Sequence, residues 1–252
     1  MTELRPACND VQRQRITCPI CGASRFTELF RQADESFAHC ECGLVFINPR
    51  PVIASVQQTY DSHYSEHYVA KAEKKLRRAE RWVRRIRRTY VSTGRWLDVG
   101  CSAGFVVKAA KDQGFEAYGI DLEPAAVRHA RNALGLNNVA CGVLEEQTFI
   151  AASFNVISLY DVIEHVPDLN ATVAQLKALL HPRGVIEIRT PDVGHFRVPR
   201  DLSRWNEIKP SEHLYYFKRD TLARLLRKHG LKIVQKRISL KPGLKVYVQH
   251  IN

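Results

Sequence analysis

The sequence predicts an α/β protein: a mostly parallel sheet with helices on both faces, preceded by a small cysteine-bearing module. Three observations lead there. From Arg95 onward, strand-like and helix-like stretches alternate, the pattern that gives a parallel sheet covered on both sides. The first of those strands runs into a glycine turn, WLDVGCSAGF at 96–105, with Asp98 at its mouth. Near the N-terminus, Cys18, Cys21, Cys40 and Cys42 fall in two close pairs. In a reducing compartment that spacing points to metal rather than to disulfides.

The bulk properties allow this organisation. The chain has 252 residues and a hydrophobic fraction of 45%, enough for one large α/β domain and an appendage. No apolar run approaches the ~18 residues of a membrane-spanning helix. The opening MTELRPACNDVQRQR carries no apolar signal core, so a cytoplasmic location is expected. Seven cysteines, an odd number, argue against a disulfide framework. The net charge of +12 suits an anionic partner.

Three stretches follow one another. Residues 1–51 form the cysteine module, closed by Pro49 and Pro51. Residues 52–94 form a connecting region. It starts with a short helix that runs into the aromatic YDSHYSEHY and continues as a long helix over 69–90. Val69, Leu76, Ala79, Val83, Ile86 and Tyr90 share one face of that helix, at steps of three and four. Lys71 to Arg88 holds ten Lys or Arg and two Glu, a local charge of +8. Residues 95–252 form the main domain. Strands are predicted at 95–99, 116–120, 138–142, 154–159, 184–189, 232–237 and 244–249. Helices are predicted at 103–113, 124–134, 170–180 and 219–229. Gly114, Gly135 and Gly230 stand where helix C-caps are expected. Only ISLKPG separates the last two strands, so they make a hairpin and one edge strand runs antiparallel. Residues 190–217 are too long for a plain loop and read as a substrate-side insertion.

Ligands of doubly wound sheets bind at the carboxyl ends of the strands, where the turn 98–104 lies. Gly100 and Gly104 let backbone approach a ligand closely. The turn lacks the second and third glycines of a dinucleotide fingerprint. A carboxylate at Asp98 would also repel a pyrophosphate; it suits a ligand with an ammonium group.

LDVGCSAG resembles motif I of class I S-adenosylmethionine-dependent methyltransferases, whose skeleton is Asp-x-Gly-x-x-x-Gly. YGIDLEP, FNVISLYDVIEHVPDL, HPRGVIEIRTPD and EHLYYFKRDTLARLLRKHGL resemble later blocks of that family, in the right order from about 95 to 249. The resemblance implies a Rossmann-like seven-stranded sheet with an antiparallel edge hairpin. It also implies S-adenosylmethionine contacts from Asp98, Gly100, Cys101, Gly104, Asp121, Leu122, Val143, Leu144 and Asp161. Asp121, 23 residues after Asp98, is placed to bond the ribose hydroxyls. Two positions depart from the family. Ser102 stands where glycine is commonest, which a negative φ would accommodate. Val143 replaces an acid that often meets the adenine amino group, leaving backbone near Val143 and Leu144, or Glu145, for that contact.

CPICG and CECG resemble the halves of a zinc ribbon, as carried by some methyltransferases with an N-terminal module. Zinc wants four tetrahedral ligands from Cys and His. Cys18 and Cys21 supply two, and Cys42 a third. The fourth is either His39, which keeps knuckle spacing, or Cys40, which residue chemistry favours. Four protein ligands leave no open position, so the zinc would be structural.

Methyl transfer from a sulfonium is an in-line displacement in which the enzyme supplies alignment. An oxygen or carbon acceptor also needs a base. Asp161, His165, Glu212 and His213 are the candidates, with His213 first and Glu212 beside it. The EH pair resembles one in sugar C-methyltransferases with a zinc module. The reading is therefore a methyltransferase acting on a small-molecule or sugar-containing acceptor at oxygen or carbon. The basic helix at 71–88 offers a surface for anionic headgroups or nucleic acid, so an RNA methyltransferase is one alternative. A non-catalytic scaffold with a methyltransferase fold is another.

Overall fold

A computed structural model describes residues 12–52, 71–210 and 212–251. The aromatic stretch at 60–68 and the short helix before it lie outside the described residues. The main sheet has seven strands in the order β12-β13-β10-β9-β6-β7-β8. These are β6 (Gly94–Val99), β7 (Phe115–Asp121), β8 (Val139–Cys141), β9 (Phe154–Tyr160), β10 (Leu180–Pro191), β12 (Leu231–Lys236) and β13 (Gly243–His250). All neighbours are parallel except the two pairings of β13.

The terminal hairpin stands at the sheet edge as the short connection predicts, but the reversed strand is its inner member. β13 is inserted between β10 and β12. Burial explains the choice: Val246, Tyr247 and Val248 of β13 are buried, whereas Val234, Gln235 and Lys236 of β12 are exposed. The more apolar strand takes the position covered on both faces.

Helices fill both faces. α1 (Ala72–Thr89), α2 (Phe105–Asp112) and α3 (Pro124–Leu134) pack over Trp96, Val156, Val185 and Tyr247. α4 (Leu169–Leu179) and α5 (Arg219–Lys228) pack over Leu97, Ile157, Ile186 and Val246. Ala79, Val83 and Ile86 of α1 are buried as its apolar stripe predicts. Trp82, one step off that stripe, packs edge-on against Tyr160. No helix among the described residues is long and apolar enough to cross a membrane.

The cysteine module builds a second sheet, in the order β11-β4-β3-β2, from β2 (Thr27–Gln32), β3 (Glu35–His39), β4 (Val45–Ile47) and β11 (Tyr215–Tyr216). A further pair, β1 (Arg13–Gln14) with β5 (Arg50–Pro51), ties its ends together. β11 comes from the far end of the 190–217 segment, so one sheet joins residues about 170 positions apart in sequence. Phe37, Val45 and Ile47 share a core with Trp205, Ile208 and Tyr216. Arg50 donates to the Pro167 carbonyl and to the Tyr215 hydroxyl, which fastens the module to the turn after β9.

Candidate active site

β6 lies between β9 and β7, and the connections after β6 and after β8 leave in opposite directions. The carboxyl ends of these strands form the switch point where such sheets hold ligands. The glycine turn is there. Gly100 and Gly104 have φ of 71° and 81°. A Cβ on Gly104 would lie 2.8 Å from that of Ala130, and one on Gly100 2.3 Å from Val162 Cγ2. Ser102 corrects the expectation of a negative φ: it adopts 46°. Asp121 explains how. Its Oδ2 accepts from Ser102 N at 2.6 Å and its Oδ1 from Glu123 N at 2.9 Å. One carboxylate thus braces the strained turn and the entry to α3, and it stays half-buried with lone pairs to spare.

Asp98 is buried, and Ser158 Oγ of β9 donates to it at 2.5 Å. Ser158 in turn accepts from Trp96 Nε1 at 2.9 Å. Burial pushes the Asp98 carboxyl up to about 8, with Asp121 and Glu187 adding to the rise. A positive charge brought beside this carboxyl would lower that value and favour the ionised form. Below it, Glu187 meets Arg189 and Lys245, each at 3.0 Å, and Tyr160 at 2.6 Å. Arg189 lies 3.3 Å from the Trp82 ring centroid, so α1 closes this network.

Along the same edge Leu122 is exposed, Val143 half-buried and Leu144 buried. Gly142 N bonds the Asp121 carbonyl at 3.0 Å, which holds the Val143 turn beside Asp121. Glu145 accepts from Thr172 of α4, so its carboxylate is partly engaged within the protein. Cys101 is buried, and burial keeps its thiol well above the usual range.

The turn after β9 supplies the other wall. Asp161 has φ 57° and is exposed. Glu164 and His213 are buried, and the His165 and His213 rings meet edge to face at 4.7 Å. Glu212 differs from expectation: its side chain is exposed, and its carbonyl lies 2.8 Å from His165 Nδ1. Burial, helped by His165 and Lys209, drives the His213 imidazole down to about 3. Burial raises Glu164 to about 8, with Asp161 the next cause. The sequence reading missed Glu164. The signal was present, because an EH pair occurs at 164–165 as well as at 212–213.

At the module, one sulfur each from Cys18, Cys21, Cys40 and Cys42 lie within 4.8 Å of one another. The Cys18–Cys42 and Cys21–Cys40 separations are 3.6 and 3.4 Å. Tetrahedral zinc with Zn–S of about 2.3 Å needs S–S spacings of about 3.8 Å, so the set fits. Backbone N–H groups turn toward the sulfurs: those of Ile20 and Cys21 to Cys18, Ala23 to Cys21 and Cys42 to Cys40. His39 is outside the cluster. It ends β3, paired with Thr27 and Val45, and the turn that gathers the sulfurs starts only at Cys40, where Gly43 N bonds the Cys40 carbonyl.

A profile for the methyltransferase domain matches residues 67–236, more than half of the chain. Ubiquinone biosynthesis O-methyltransferase from Bordetella avium is 32% identical over 101 residues, 38% of this chain and 42% of that protein. The same enzyme from Histophilus somni is 35% identical over 103 residues, 37% and 43% of the two chains. The chain spans less than half the length of these curated relatives. Among solved structures, the Burkholderia thailandensis 1,6-didemethyltoxoflavin-N1-methyltransferase, which holds S-adenosylhomocysteine, superposes with a TM-score of 0.60 at 18% identity. That match covers 88% of this chain and 98% of that one. A Bacteroides fragilis SAM-dependent methyltransferase in complex with S-adenosylhomocysteine gives 0.52 at 21% identity, covering 68% and 77%. Both share the fold.

Proposed function

The chain belongs to the family of methyltransferase domains, and from that premise we infer that it moves a methyl group from S-adenosylmethionine to a small-molecule or sugar-containing acceptor. The observation that carries this reading is the pairing of Asp98 and Asp121 around one strained turn at the switch point. Asp98 faces the positive end of the cofactor, Asp121 its ribose, and Leu122, Val143 and Leu144 its adenine. Gly100, Cys101 and Gly104 supply close backbone. Asp161 stands where the methyl would leave. His165 and His213, with Glu212 steadying His165 through its carbonyl, line the acceptor side, where the acceptor's proton must go. The curated relatives act at oxygen, which favours an oxygen acceptor over carbon.

Zinc held by Cys18, Cys21, Cys40 and Cys42 would be structural: it would pin β3 and β4, which carry β11 and so the backbone next to His213. A small acceptor is favoured over RNA by one contact. Trp82, the single aromatic of the basic run, is committed to Arg189 and Tyr160. The helix therefore offers charge for headgroups or phosphate without a free ring for base stacking.

Calorimetric titration with S-adenosylhomocysteine, with NAD in parallel, tests the assignment. Saturable binding of the first alone is expected. Binding of neither would move the domain to a scaffold role. With cofactor binding established, His213→Ala is expected to lower turnover and leave that binding unchanged.

A further inference from the structure

α1 turns one face to the domain and the other to solvent. Its apolar stripe belongs to the core: Ala79 is 2% exposed, and Val83 and Ile86 are 0%. On the outer side, Lys74, Arg77, Arg81, Arg84 and Arg88 follow one another at steps of three and four, so they stand in one row along the helix. All five are exposed. At a rise of about 1.5 Å per residue the row is about 21 Å long. Among the described residues, Arg77 is the one member of the row in an ion pair, with Glu73. Both of those side chains are more than half exposed, where a pair holds its partners weakly. Lys71 to Arg88 carries +8 of the chain's net +12, so most of the excess charge sits on this one element. Like charges at these spacings repel along a helix, and an anionic polymer laid against the row would relieve that repulsion.

We propose that the outer face of α1 is a docking surface for the phosphate backbone of double-stranded DNA, bound without sequence preference. Its neighbours select that partner. A lipid surface takes up a helix by burying its apolar face at the headgroup boundary, and here that face is packed in the core. Single strands are held by bases stacking on open aromatic rings. Trp82, the one aromatic within α1, is covered by Arg78, Arg189 and Tyr160. What faces solvent is a line of cations, mostly arginine, whose planar fork matches phosphate. One strand of duplex DNA advances about 3.4 Å per phosphate along its axis, so the row runs beside about six phosphates. B-form DNA also has a major groove about 12 Å wide that admits a helix, whereas the deep, narrow groove of duplex RNA does not. Phosphate contacts fix position and carry no sequence information. This surface stands apart from the methyl-transfer reading and does not depend on it.

The test is fluorescence anisotropy of a labelled DNA duplex of about 20 base pairs, titrated with the full chain from about 50 to about 200 mM salt. Four to five phosphate contacts give a slope of log affinity against log salt of about −4, a loss of about two hundredfold over that range. Arg81→Gln and Arg84→Gln should each flatten the slope by about 1, with an unchanged thermal midpoint reporting that the fold is intact. Arg224→Gln is the control: it removes the same charge from an exposed position on α5, over the opposite face of the sheet, and should leave the slope as it was. A slope shallower than about −2 in the unmodified chain would overturn the proposal. So would equal effects of all three variants, the signature of diffuse net charge. Tighter binding to a single strand, to an RNA duplex or to phosphatidylglycerol vesicles than to the DNA duplex would overturn it as well.

Discussion

The proposed cofactor end and the proposed acceptor end sit at the same edge of one sheet, and they are built in opposite ways. The cofactor end is local: Asp98 to Asp121 is a single strand–turn–helix–strand unit, and its bracing bonds are Ser102 N and Glu123 N to Asp121. The acceptor end is assembled from distant chain. β4 pairs with β11, Leu214 and Tyr215 bond Glu164, and Arg50 reaches Pro167 and Tyr215. A local site stands on turn chemistry. A distributed one stands on whatever holds its contributing segments together, which here includes four cysteines.

That difference predicts that the two ends fail separately, and the largest effect should come from the cysteine cluster. If the cluster holds the proposed zinc, removing it with a chelator, or Cys40→Ser, takes away a contribution of order 10 kcal/mol in small zinc modules. Hydrogen exchange is expected to show lost amide protection at 36–47 and 214–217. Protection at 96–121, and S-adenosylhomocysteine binding, should persist. Loss of protection at both ends together would show one cooperative unit and break the comparison, because Cys18, Cys40 and Phe46 also belong to the core that holds Leu97 and Ile157.

The next effect is at the cofactor end. Asp121→Ala removes an acceptor from two backbone N–H groups and, in the proposed binding mode, from the ribose. Hydrogen bonds to a charged group are worth about 1.5–3 kcal/mol each, so cofactor affinity should fall about a hundredfold. Amide protection at 214–217 should not change. An affinity within about twofold of the unmodified protein would remove Asp121 from the site.

The same contrast decides what could be read from sequence. The glycine turn, Asp98 and Asp121 were legible because their partners lie within one βαβ unit, where spacing maps onto geometry. Strand and helix order was legible for the same reason. The reversed strand was misplaced because ISLKPG fixes a hairpin but not which member neighbours β10; that depends on burying Val246 and Val248 rather than Gln235 and Lys236. Glu164 was passed over because a glutamate in an apolar run looks like any turn acid until His213 arrives from another segment. His39 and Cys40 could not be separated by spacing alone. What favours Cys40 is that its sulfur gathers with the other three while His39 is paired with Thr27 and Val45, and pairing is a tertiary fact. Ser102 shows the converse case: a positive φ at a non-glycine is sustained by an acid 19 residues away.

Gly104→Ala probes the local end more gently. The residue sits at φ 81°, and its new Cβ would meet Ala130 and Leu136 at 2.8 and 2.7 Å. Left-handed backbone and overpacking together should cost about 2–4 kcal/mol, read as a lower denaturant midpoint. Acceptor-side protection should be retained at low denaturant. An unchanged midpoint would mean that the turn has room that its geometry denies.

The smallest effect tests the charge beneath the turn. Asp98 is held at about 8 in the folded chain, against about 3.9 in an unfolded one. Between those values the native state keeps a proton that the unfolded state has lost, so this group's contribution to stability is complete below about pH 4 and is lost as pH rises toward 8. A cofactor bringing an ammonium group favours the ionised carboxylate. Binding near neutrality should therefore release a proton, and affinity should rise with pH up to about 8, by at most about tenfold per unit. Ser158, the donor that opposes the rise, is the control: Ser158→Ala should move the window to higher pH. Asp121 and Glu187 push the same way as burial and Arg189 against it, so Glu187→Gln should move the window down. Calorimetry with S-adenosylhomocysteine at several pH values, in two buffers of different ionisation enthalpy, reads both affinity and proton release. Proton uptake, or an affinity flat from pH 6 to 8, would place the ammonium away from Asp98 and leave that carboxyl a buried acid held by Ser158 alone.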